Sequence, residues 1–160
     1  MPVLQWAIEE MEQRRQSVVR LTEAAAREGG VKAMDLFRLA IREKRMPPIV
    51  PLIVVIDEFA EIMLANKRTA DEFEGLVQRI SQVGRSRLIH LVLATQRPDR
   101  ETIRGAIKAN FTTRAVFRLP TTADSISAMG HAGAEKLLAH GDMVFEHAGL
   151  GPVRLQGYKS

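Results

Sequence analysis

Two acidic residues, Asp57 and Glu58, follow directly on the apolar run Ile53–Ile56 in PLIVVIDEFAEIM. A carboxylate that ends a buried strand stands at the sheet's carboxyl edge, where open α/β sheets bind their ligands. One such carboxylate can hold a magnesium ion through its waters. The next can orient or deprotonate an attacking water. Hydrolysis of a nucleoside triphosphate needs both tasks, because its transition state is stabilised by positioning and electrostatics. The plainer alternative is that Asp57 and Glu58 only cap the next helix and complement its dipole. A second apolar run, Leu88–Ala94, ends in Thr95-Gln96-Arg97-Pro98. A neutral Thr-Gln pair beside an acidic pair suits a sensor of the terminal phosphate: an amide donates to a phosphate oxygen, or holds the water, without adding charge. Either strand end alone says little. The two together are much more specific.

The usual partner of such a pair is missing. No G-x-x-x-x-G-K-[ST] loop occurs in the sequence, and neither Gly29-Gly30-Val31-Lys32 nor Gly149-Leu150-Gly151-Pro152 replaces one. That loop supplies backbone N–H groups, a lysine and a magnesium-binding hydroxyl. The expectation is a motor core lacking its phosphate-loop portion. In isolation such a chain is expected to bind ATP poorly and not to hydrolyse it.

Positive charge is concentrated in one block. The chain carries +4, yet Arg79–Arg118 holds nine basic residues against two acids, a net of +7, so the remainder nets −3. A basic segment of this kind is the footprint of a polyanion partner, or else a set of solvated helix faces. There is no cysteine, which excludes disulfides and thiolate metal sites and fits a cytoplasmic location. No apolar run approaches the roughly 20 residues of a membrane span, so this segment is expected to make no membrane contact. Met1–Arg15 has the pattern of an amphipathic charged helix, not of a signal peptide.

These side chains need elements to position them. Leu4, Ile8, Met11, Val18 and Leu21 predict a helix from about Val3 to Arg27, stopped by Gly29-Gly30. Met34, Phe37, Leu39 and Ile41 predict a shorter one, broken at Met46-Pro47-Pro48. Ile49–Ile56 reads as a strand buried on both faces, as in a parallel sheet. A short helix is expected from Glu58. A capping box at Thr69-Ala70-Asp71-Glu72 is expected to open another, with Phe73, Leu76, Val77, Ile80 and Val83 inward. Leu88–Thr95 predicts the second strand, Pro98-Asp99 the start of a helix with Ile103 and Ile107 inward, and Thr112–Leu119 a third strand. Helical pieces follow near Ala123–Met129 and Ala134–Ala139, then a closing hairpin of Met143–Phe145 and Val153–Gln156. The alternation predicts an α/β layered fold in one partial domain spanning residues 1–160: a leading helix in 1–30, then 49–160 from the acidic strand to the hairpin.

IVVIDEFAEIM, HLVLATQRP, IKANFTTRAVF and AGAEKLLAHGDMVF, in that order, resemble the motor domain of the FtsK/SpoIIIE family, and LQWAIEEMEQRR and GPVRLQGY extend the likeness over nearly the whole chain. The resemblance implies a three-layer RecA-like P-loop NTPase core with a mainly parallel sheet and a C-terminal β-hairpin. It implies an ATP-driven translocase of double-stranded DNA, with ATP and Mg2+ as cofactors and a hexameric homo-oligomer in the intact protein. The fragment itself is expected to self-associate, as a dimer for example. An inner-membrane anchor would lie in another domain.

Position by position, the likeness makes Asp57 the Walker B aspartate, associated with magnesium through water. Glu58 becomes the catalytic glutamate, Gln96 with Thr95 the sensor, Asp57 and Gln96 the nucleotide contacts, and Arg85 the finger reaching a neighbouring subunit's nucleotide. Arg114 is the less favoured finger, and Arg97 and Lys108 are the DNA-backbone contacts. Arg79, Arg87, Arg100 and Arg104 are expected on solvated faces or subunit contacts. His90 is expected in a core or edge position, and His131, His140 and His147 at the surface. The chain departs from the family pattern at Thr122 and Ile126, where a Lys and an Arg often flank the Asp-Ser pair, and in GRSRLIH, where the family has an alanine-rich segment with a Gly before Ile-His. Two other functions remain open: a non-catalytic DNA-binding or scaffold module, and a conjugation- or secretion-type ATPase.

Overall fold

The computed structural model describes residues 1–27 and 50–158. In chain order the elements are helix α1 (Pro2–Arg27), strand β1 (Leu52–Ile56), helices α2 (Ala60–Ala65) and α3 (Lys67–Val83), a 3₁₀ turn (Gly84–Arg87), strand β2 (Ile89–Leu93), helix α4 (Gly105–Asn110), strand β3 (Arg114–Phe117), helix α5 (Thr122–Met129), a second 3₁₀ turn (Ala134–Lys136), and strands β4 (Asp142–His147) and β5 (Gly151–Gln156). The expected helix around Met34–Ile41, with its Gly29-Gly30 and Pro47-Pro48 boundaries, lies outside the described residues.

The chain divides into two compact units. The first comprises Met1–Val55 and Arg79–Val92, the second Ile56–Gln78 and Leu93–Ser160. In the first unit, α1 buries Leu4, Ala7, Ile8 and Met11, the i, i+3, i+4, i+7 stripe of an amphipathic helix. Pro2 sits at its start, where a missing N–H costs nothing.

Strands β1 and β2 form a two-stranded sheet. The Leu52 N–H donates to the Leu88 carbonyl (2.8 Å), and at the far end the Ala94 N–H donates to the Ile56 carbonyl (2.8 Å). Start is therefore paired with start and end with end, so the strands are parallel. Their carboxyl ends, bearing Asp57-Glu58 and Thr95-Gln96, emerge side by side.

In the second unit, β3, β4 and β5 make an antiparallel sheet in that order. Arg114 faces Glu146 and Phe117 faces Met143, while Met143 faces Leu155 and His147 faces Gly151. The third strand thus joins the closing hairpin. On one face of this sheet, Val116 and Val144 pack on Ala128, Met129, Ala134 and Leu137, together with Ile103 and Leu119. Phe59 and Phe73 stack with ring centroids 6.3 Å apart, which seats the segment after Glu58 against α3.

Several local expectations need correction. α2 begins at Ala60, not Glu58, because the Glu58 carboxylate accepts the Ala60 N–H (3.1 Å) and stays outside the helix. α3 opens at Lys67 rather than at the Thr69 box: Asn66 Oδ1 accepts the Thr69 N–H (2.9 Å) and caps it one turn earlier. Its stripe buries Phe73, Val77 and Ile80, whereas Val83 is 42% exposed. After Pro98 the chain first makes a turn, in which Asp99 Oδ1 takes the Thr102 N–H (2.8 Å), and the helix forms only from Gly105. The piece near Ala134 is a single 3₁₀ turn. β1 is buried on one face alone: Val54 is 6% exposed, but Ile53 and Val55 are 62% and 63% exposed, because no described residue covers that face.

Candidate functional site

The parallel pair β1–β2 brings the acidic and the neutral strand ends into hydrogen-bonding contact. Glu58 is the hub. Its Oε1 accepts from the Thr95 hydroxyl and from the Ala60 N–H, and its Oε2 accepts from the Gln96 N–H at 2.8 Å. Backbone completes the clasp, with the Phe59 N–H donating to the Ala94 carbonyl (3.1 Å). Burial works to raise the Glu58 carboxyl pKa. The Thr95 hydroxyl, the Gln96 and Ala60 N–H groups and the Arg97 charge outweigh it and hold the group below the usual glutamate range. Glu58 is therefore ionised at neutral pH. A carboxylate has about four lone-pair sites, and three are taken, so about one remains to hold a water. Because Glu58 also receives the Ala60 N–H, the capping reading is correct for one of its bonds and incomplete for the rest.

Asp57 is exposed, and its carboxylate makes no hydrogen bond or ion pair among the described residues. A lone free carboxylate at a strand end suits magnesium, which keeps several waters and takes only one or two protein carboxylates. No group of three or more potential metal ligands converges among the described residues. An ion at Asp57 would thus draw its other ligands from water and phosphate oxygens. The Gln96 side chain is exposed, and among the described residues Gln96 is engaged through its backbone N–H to Glu58, with no partner for its side-chain amide.

The basic residues are sorted by their partners. Arg97 is exposed on the loop after β2, with no ion pair among the described residues. Lys108 is more occupied: its ammonium donates to the carbonyls of Ile126 (3.0 Å) and Ser127 (2.8 Å), closing the last turn of α5. Burial and the Arg114 charge lower its pKa, Glu146 opposes them, and Arg100 adds to the lowering. Arg114 donates to the Lys108 carbonyl (2.6 Å) and pairs with Glu146 (3.5 Å), so it ties β3 to α4 and β4. Arg104 pairs with Asp71 (2.9 Å) and Glu74 (3.4 Å) and is spent on α3. His131, His140 and His147 are exposed; His131 bonds Glu146 (2.6 Å) and His147 bonds Thr113 (2.7 Å). His90 is an exposed strand residue.

Arg85 lies in the first unit, on the 3₁₀ turn, with an exposed and unpaired side chain among the described residues. Its turn is held by a residue that motif reading passes over. Arg14 of α1, paired with Glu10 at 2.7 Å, donates to the carbonyls of Arg87 (3.0 Å) and Leu88 (3.4 Å). The signal in the sequence is the Glu10–Arg14 spacing, which places both on one helix face without naming a distant acceptor. Leu88 closes the turn with φ 57, the left-handed conformation that favours glycine.

Comparison with known proteins places this geometry. The FtsK/SpoIIIE family model matches residues 1–100. The chain belongs to the FtsK/SpoIIIE family. It is 41% identical to the DNA translocase SftA of Bacillus subtilis over 96% of its own length and 15% of SftA. It is 37% identical to the DNA translocase FtsK of Pseudomonas aeruginosa over 96% of its length and 20% of that protein. It therefore spans about a fifth or less of these relatives.

Among solved structures it resembles the pCW3 conjugation coupling protein TcpA, with ATPγS, at a TM-score of 0.66 and 22% identity over 94% of this chain and 44% of that one. It also resembles the cytoplasmic domain of the Thermomonospora curvata type VII secretion ATPase EccC, at a TM-score of 0.67 and 25% identity over 93% and 17%. The α/β fold read from the sequence, that of a RecA-like P-loop NTPase core with a C-terminal hairpin, is the one observed.

Proposed function

We propose that this chain is the hydrolysis-side portion of an ATP-driven, cytoplasmic translocase of double-stranded DNA. The observation that carries the reading is the clasp of Glu58 by Thr95 and Gln96 across two parallel strand ends, beside an unpaired Asp57. Asp57 holds the hydrated magnesium ion of a bound nucleotide, and that ion, when present, neutralises charge on the phosphates. Glu58, ionised and fixed by three donors, orients the attacking water with its remaining lone pair. The Gln96 amide senses the terminal phosphate.

Arg85 acts on the nucleotide of a neighbouring subunit in a homo-oligomeric, hexameric ring. The exposed Arg97 contacts the DNA backbone. Lys108 does so by exchanging its α5 carbonyls for a phosphate. Since the 160 residues contain no G-x-x-x-x-G-K-[ST] loop, the isolated chain is expected to be inactive. The likeness to TcpA and EccC supports a second reading, a conjugation- or secretion-type ATPase with the same site chemistry.

The test is Glu58→Gln in the full-length protein that carries these residues. ATP binding should persist while turnover falls at least about a hundredfold, the scale of a lost positioned acid–base group. Turnover equal to the unsubstituted protein's would remove Glu58 from this role.

A further inference from the structure

The loop after β2 contains a hydrogen-bond relay. The Thr95 hydroxyl donates to Glu58 Oε1, and the same oxygen accepts the Arg97 N–H at 2.9 Å. The hydroxyl has one proton and two acceptor candidates, Glu58 and the Arg97 carbonyl 3.5 Å away. The charge-assisted bond to the carboxylate takes the proton. Bonds in series polarise one another, so the state of the Arg97 peptide is felt at the Glu58 carboxylate. Arg97 also acts on Glu58 directly through its charge. The backbone of the residue that faces solvent with a free guanidinium is thus one hydroxyl away from the residue that holds the water.

Resting on the proposed function, we infer that Thr95 is a positioning residue that transmits phosphate-backbone contact at Arg97 to the orientation of Glu58. A phosphate drawn to the Arg97 guanidinium shifts that residue, the Arg97 N–H moves with it, and the Thr95 hydroxyl re-aims its proton. Glu58 then presents a different lone pair to the water. This gives Thr95 a role separate from touching nucleotide, and it makes stimulation by DNA depend on a hydroxyl that need not contact DNA.

The experiment uses the full-length protein with ATP and a duplex DNA of arbitrary sequence. Thr95→Val keeps the shape and removes the hydroxyl; Thr95→Ser restores it. Thr95→Val is expected to lose most of the ratio of DNA-stimulated to DNA-free turnover, with the KM for ATP within about twofold, since the lost bond is not a nucleotide contact. Thr95→Ser should recover the DNA response. A Thr95→Val protein with unchanged stimulation overturns the inference. So does a Thr95→Ser protein that fails to recover it, which would assign the effect to the methyl group and packing. Glu58→Gln separates the two levels. If it retains full turnover, the proposed function fails. If it is inactive while Thr95→Val keeps its DNA response, only this inference fails.

Discussion

Glu58 and Asp142 are both carboxylates held low by donors, yet they serve different ends. Asp142 is 5% exposed and is bound by Arg154 through Nε (2.9 Å) and Nη2 (2.6 Å), with the Leu138 N–H as a third donor (2.6 Å). The Arg154 hydrogen bonds come first in lowering its pKa, to about 2, followed by the Leu138 N–H. The folded form therefore binds the proton less readily than the unfolded one. Stability from this group is fully present above the unfolded value of 3.8 and is lost as pH falls through about 2. Acid denaturation followed by circular dichroism should show a loss of stability over that window, and Asp142→Asn should flatten it. An equal slope in the substituted protein would remove Asp142 as its source. Nothing in the local sequence announces this pairing, since Asp142 and Arg154 meet only once β4 and β5 register. Glu58 was legible for the opposite reason: its position after an apolar run and the Thr-Gln at the next strand end both lie in local sequence.

At the scale of elements, periodicity located the long helices and the strands, and it failed at their ends. Helix starts are decided by side-chain acceptors, and Asn66, Asp99 and Glu58 each captured an N–H that moved a boundary. The one-sided burial of β1 was also beyond local pattern, because an apolar run cannot tell which of its faces the rest of a fold will cover. The turn carrying Arg85 is tightly constrained. A Cβ at Gly84 would lie 2.8 Å from the Ile89 carbonyl oxygen and 3.3 Å from Ile80 Cγ2. Backbone at that distance cannot give way cheaply. Gly84→Ala should destabilise the protein by about 1–3 kcal/mol, the usual cost of overpacking, seen as a lower denaturation midpoint. It should also lower turnover more than ATP affinity, because the displaced turn carries the proposed finger. A neutral Gly84→Ala would mean that the turn adjusts freely and that Arg14 does not hold it.

At the scale of the whole molecule, the proposed shared site draws two kinds of group from this chain. Asp57, Glu58, Thr95 and Gln96 lie in one compact unit and Arg85 in the other. Arg85 has an exposed guanidinium with no ion pair among the described residues, whereas Arg14, Arg104, Arg114 and Arg154 are engaged. A cation so placed can stabilise a phosphate transition state only where a nucleotide approaches it. The proposed ring makes that nucleotide a neighbour's, and subunit mixing tests the point. Full-length Arg85→Ala and Glu58→Gln proteins should each be nearly inactive alone. Mixed under conditions of subunit exchange, they create interfaces in which one subunit offers an intact Glu58 and its neighbour an intact Arg85. Turnover should then recover in part, with a maximum at intermediate mixing ratios. If Arg85 served its own subunit's nucleotide, no interface in the mixture would be complete and activity would stay at the level of the separate proteins.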